Sequence, residues 1–136
     1  MALRRNVTFR VAMPFDVKLH PVGGEVATYL ATAIKSRTGL HAAIEDWHDS
    51  GFELDFTINT KPIQFAFTFV DDPQFQFYGQ VASHIGWLRR LLGYRDQGEE
   101  DTLIRAVDET LQTDSIFSDV YWHQAWYDEV TMTRHP

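Results

Sequence analysis

Apolar and polar residues alternate over much of this chain, and helical spacing replaces the alternation in three places. Val7, Phe9, Val11 and Met13 alternate with Thr8, Arg10 and Ala12, the period of a half-buried strand. Pro14 to Gly24 reads as a loop, broken by His20-Pro21 and Gly23-Gly24. Val26, Leu30, Ala33, Ile34 and Arg37 then share one helical stripe, which predicts a helix from Glu25 to Arg37 that stops at Gly39. Leu40, Ala42 and Ile44 suggest a further strand, closed by a turn over Asp46-Trp47-His48-Asp49-Ser50-Gly51.

Phe52, Leu54, Phe56 and Ile58 alternate with Glu53, Asp55, Thr57 and Asn59. Beyond the Asn59-Thr60-Lys61-Pro62 turn the alternation resumes through Ile63, Phe65, Phe67 and Phe69. After Asp71-Asp72-Pro73 it continues through Phe75, Phe77, Gly79 and Val81. Runs joined by short polar turns make a β-meander with one apolar face and one polar face. Ser83 is placed to cap a helix carrying Ile85, Leu88, Leu91 and Leu92, ended by Gly93. Asp96 to Asp101 is a charged loop, and Leu103, Ile104, Val107 and Leu111 line a helix from Glu100 to Gln112. Ile116, Val120 and Trp122 suggest a last strand.

The predicted order is β-α-β-β-β-β-α-α-β. A phenylalanine-rich sheet face needs a cover, and three amphipathic helices supply one. The expected fold is an α+β two-layer sandwich, a mainly antiparallel meander sheet under about three helices. With 136 residues and no repeat or linker, a single α+β domain over 1–136 is expected.

Composition removes several classes. Apolar residues make up 44% of the chain, too many for a disordered one. No apolar run reaches the roughly 18 residues of a membrane span, and no secretory h-region follows the amino-terminal arginines. Cysteine is absent, so disulfides, thiolate catalysis and cysteine-ligated zinc are excluded. A cytoplasmic protein is expected.

The formal charge of −7 is unevenly spread. Residues 1–40 hold six basic and two acidic groups, whereas residues 96–136 hold two basic and ten acidic ones. Such a field repels phosphate backbones and speeds encounter with a basic partner. No nucleic acid and no membrane are expected as partners; a basic protein is, and a homodimer stays open.

None of the familiar catalytic patterns stands out. The six histidines show no i, i+4 pairing of the helical metal-site kind, and no metal or cofactor is expected. Gly-x-Ser-x-Gly and the phosphate-binding glycine patterns are missing. The acid pairs Asp71-Asp72, Glu99-Glu100-Asp101 and Asp128-Glu129 fall in turns and loops where both members would stay hydrated, unsuited to acid–base work. Asp46-Trp47-His48-Asp49 is the densest polar cluster. It supports an alternative reading, a small-ligand-binding protein or small enzyme using His48, Asp46 and His84 on the sheet face.

The aromatics carry the leading reading. Trp47, Tyr78, Tyr94, Tyr121, Trp126 and Tyr127 fall outside the apolar stripe, and from Phe117 to Glu129 large rings interleave with acids. Trp and Tyr bury large area with few rotors, and surrounding acids select a basic partner. The proposed contacts are Asp46, Trp47, Asp49, Asp71, Asp72, Asp119, Trp126, Asp128 and Glu129.

Several stretches contribute to one layout: Trp47-x-Asp49-x-Gly51, strands running to Phe69-Val70-Asp71-Asp72-Pro73, then Phe75-x-Phe77, an amphipathic helix, and Asp114-x-x-Phe117-x-x-Val120-x-Trp122. Over residues 40–127 this layout resembles the small acidic immunity proteins of bacterial toxin–immunity pairs. The resemblance implies a non-catalytic inhibitor that neutralises a basic toxin or effector domain. It transfers no binding residues.

Overall fold

The computed structural model describes residues 3–19, 22–47, 50–70, 72–83, 97–125 and 132–136. Among them are six strands and two helices: β1 (Asn6–Val11), α1 (Gly24–Thr38), β2 (Ala43–Trp47), β3 (Gly51–Ile58), β4 (Lys61–Phe69), β5 (Phe77–Ser83), α2 (Gln97–Thr113) and β6 (Phe117–His123). The strands form one antiparallel sheet in the order β2-β3-β4-β5-β1-β6. The fold is therefore α+β, and the expected meander is present as β2-β3-β4-β5. The expected helix over Ile85–Leu92 lies outside the described residues.

One face of the sheet carries the core. Phe9, Phe65, Phe67 and Phe77 are fully buried and in ring contact, for example Phe9 stacked on Phe77 at 5.5 Å. Val26, Leu30 and Ile34 of α1 and Leu103, Val107 and Leu111 of α2 join the same apolar cluster. Each such side chain contributes about 1.5–3 kcal/mol by leaving water. Gly39 ends α1 as expected, with φ 78° and its N–H donating to Lys35 O.

Several local expectations shift. Asp46 and Trp47, expected in the turn, are strand residues, paired with Phe52 and Gly51. Ser83 is the last residue of β5, and its hydroxyl donates to Glu100 Oε1 at 2.7 Å; the helix it is expected to cap lies outside the described residues. Glu100 is buried rather than hydrated, with Arg5 Nη2 2.9 Å from its other oxygen. This pair ties the start of α2 to the sheet. Glu99, which accepts from Asn59 and faces Lys61 Nζ at 3.6 Å, ties it to the β3–β4 turn.

In β6 the inward residues are Phe117, Val120 and Trp122 rather than Ile116, Val120 and Trp122. Thr8 pairs with Tyr121 and Arg10 with Ser118, so Asp119 and Val120 together stand opposite Phe9. This is a β-bulge, and Asp119 occupies it with φ 51°. The extra residue shifts the inward phase by one.

The polar face of the sheet is not uniformly wet. On it Asn6, Thr8, Tyr78 and His123 are all buried, and Thr8 Oγ1 lies 2.9 Å from His123 Nε2.

Candidate functional site

Antiparallel pairing sorts the loops between the two ends of the sheet. The carboxyl ends of β1, β2 and β4 and the amino ends of β3, β5 and β6 all lie at one end. The amino end of α1 lies there too, since a Cβ on Gly23 would meet the Phe77 ring at 3.0 Å and one on Gly24 the Phe52 ring at 3.4 Å. Asp46, Trp47, Asp72 and Asp119 thus fall at the same end of the molecule. Strands sit about 4.8 Å apart, so β2 and β6 are separated by roughly 24 Å across it.

Arginine 10 organises the β6 side of this end. Its Nε donates to Gln74 O at 3.3 Å, its Nη2 donates to Pro73 O, and it lies 3.6 Å from Asp119 Oδ2. Asp72 has a local task as well, accepting from Gln74 N at 2.8 Å in a side-chain-closed turn. Asp119 is more than half exposed despite its arginine. Both carboxylates therefore stand on fixed backbone while facing water.

Asp46 and Trp47 are successive strand residues and point to opposite sides of the sheet. Asp46 is exposed on the helix side, and Trp47 is half-buried on the other. Ser50 N donates to Trp47 O at 2.9 Å, and Ser50 O accepts from Thr68 Oγ1, which fastens the β2–β3 turn to β4. Gly51 makes this possible. A Cβ there would fall 2.0 Å from Phe67 O, so no side chain fits between the turn and β4.

The expected patch thus divides. Asp49, Asp71, Trp126, Asp128 and Glu129 lie outside the described residues, as do His48 and His84 of the alternative reading. The chain leaves β6 after His123, at the end of the sheet opposite to Asp119. Phe117 and Trp122, counted among the interleaved rings, belong to the core. Trp122 is fully buried and donates from Nε1 to Asp108 Oδ1 at 2.9 Å.

Sequence reasoning passed over the apolar part of this end. Val17 is 56% exposed, Leu19 50% and Val70 44%. The first two lie in the loop between β1 and α1, and Val70 directly follows β4. The loop is anchored beneath by Phe15, which packs on Phe69 and Phe77 at 5.6 and 5.3 Å. Asp16 is exposed among them, and its Oδ1 accepts from Lys18 N. The available signal was apolar residues inside a segment rich in turn formers, where no stripe required them.

A hollow of about 460 Å³ beside α1 is lined, among the described residues, by Tyr29, Thr32, Ala33, Ser36, Arg37 and Asp114, none of them a histidine. Among the described residues, no three His, Asp or Glu side chains gather as a metal-binding group, and no helix is long and apolar enough to cross a membrane. No protein-family model, curated protein or solved structure matches the chain.

Proposed function

We propose that this protein is a non-catalytic binder of a basic protein, an inhibitor of the immunity type that docks a toxin or effector domain against the loop-bearing end of its sheet. The observation that carries the reading is the conjunction of exposed Val17, Leu19 and Val70 with Asp16, Asp72 and Asp119 at one end. Apolar side chains bordered by charge are the usual anatomy of a protein interface, whose centre excludes water while the rim governs encounter. The acids here are held by turns and by Arg10, so little side-chain freedom is lost on docking.

The test is calorimetry with the basic protein encoded next to this chain's gene, at low and at physiological salt. A stable complex that weakens as salt rises is expected. Val70→Asp should weaken it by about tenfold or more by placing a charge at the apolar centre. Asp72→Asn keeps the turn-closing oxygen while removing the charge, so it should mainly slow association. Absence of a complex at low salt, or a complex indifferent to Val70→Asp, overturns the proposal.

A further inference from the structure

We infer that the outer edge of β2 takes up an extended, basic segment of the partner as a seventh strand, which deepens the docking proposal by naming a mode of attachment. β2 is the terminal strand of the sheet, paired with β3 over five consecutive positions without a bulge. Ala43, Ile44, Glu45 and Asp46 are all exposed and Trp47 half so. No described residue pairs with its far side. Alternate residues of such a strand direct N–H and C=O groups outward, a ready template for another chain. Added strands gain affinity from main-chain bonds and specificity from the side chains beside them.

Charge selects the occupant. Glu45 stands directly opposite Glu53 on the face away from the helices, with Asp55 two residues further along. Glu45 is exposed there, and a lysine or arginine on an incoming strand beside it would pair with its carboxylate. Trp47 shares that face and offers its ring to the same cation. On the helix side Ile44 is 40% exposed, so the incoming residue there is apolar. The expected ligand alternates basic and apolar residues. A second copy of this chain fits badly, because the antiparallel register that pairs all five residues sets Glu45 against Glu45.

The full chain can be titrated with a blocked nine-residue peptide of alternating lysine and valine, followed by backbone amide signals and hydrogen exchange. Shifts centred on residues 43–47 are expected, with exchange of their outward amides slowed by about tenfold or more at saturation. Glu45→Lys should weaken binding by about tenfold with the circular dichroism unchanged. N-methylation along one edge of the peptide should abolish binding, because it removes the main-chain donors. Shifts mapping elsewhere, equal binding of a glutamate–valine peptide, or self-association of the free chain through β2 would each overturn the inference. With the whole partner, sensitivity to Val70→Asp but not to Glu45→Lys leaves the docking end standing and removes the edge. Sensitivity to Glu45→Lys alone does the reverse.

Discussion

β6 and β2 close the two sides of one sheet by different means. β6 sends Phe117, Val120 and Trp122 into the core, and its outer edge is occupied: Thr133 N donates to Trp122 O at 2.8 Å and Trp122 N to Thr133 O at 2.6 Å. β2 buries none of its five residues, and its outer edge meets no described chain. The approaches to the two strands are held by different contacts. Before β6, Asp114 receives the Tyr29 hydroxyl at 2.5 Å and the Ile116 N–H at 3.2 Å. Before β2, Leu40 N donates to Thr38 Oγ1 at 3.2 Å, Leu40 and Ala42 are half-buried against the core, and His41 between them is exposed. Unpaired edges invite aggregation, and charge is a common defence. Glu45 and Asp46 supply such charge along β2. Burial is concentrated at the β6 side of the sheet, and β2 carries exposed side chains at the other.

The sharpest way to break this contrast is to empty the β6 side. Trp122→Ala removes a wholly buried indole and the partner of Asp108, and should cost about 3–5 kcal/mol in urea denaturation. Trp47→Ala at the β2 side should cost well under half of that, since the ring is only half-buried. Equal losses at the two tryptophans would show that β2 is as integral as β6.

How far the sequence reveals this division depends on the kind of interaction that makes each part. Period-two runs such as Phe52 to Ile58 and Ile63 to Phe69 mark strands because burial imposes alternation on one face, and both appear in register across the Asn59-Thr60 turn. The α1 stop at Gly39 is likewise legible, because only the local chain determines it. The β6 bulge is not, since a single inserted residue at Asp119 reverses the phase without altering composition. Nor does the sequence show that Glu100 is buried: its environment comes from Arg5 and Ser83, 95 and 17 residues away in the chain. Most of the candidate site was visible only as acids near turns. That Asp46, Asp72 and Asp119 share an end follows from strand pairing, and that Val17, Leu19 and Val70 join them follows from loop packing.

A smaller effect tests the anchor ahead of β6. The hydrogen bond that Tyr29 donates to Asp114 raises its phenol above the ordinary 10.0, with burial and the Asp114 charge adding and Arg37 opposing. The folded protein therefore holds this proton more tightly than the unfolded chain does. The contribution is complete below about pH 10 and is lost as pH rises through the raised value. Tyr29→Phe should lower the melting temperature at neutral pH and remove that part of its alkaline decline, with the shape of the acid limb unchanged. An unchanged alkaline limb in the variant would mean that the Tyr29–Asp114 bond does not hold the approach to β6.

The smallest effect is expected at the middle of β2. Ile44→Thr keeps β-branching and so keeps the strand preference, but it replaces an apolar surface that is already 40% exposed. Folding stability should move by no more than about 0.5 kcal/mol. The same change should weaken the alternating lysine–valine peptide, because the apolar residue facing Ile44 would then lie against a hydroxyl. A strand required by the fold would give the opposite pattern, a clear loss of stability with peptide affinity unmoved. The paired measurement on one variant therefore separates a strand retained for its contacts within the chain from one retained for contacts beyond it.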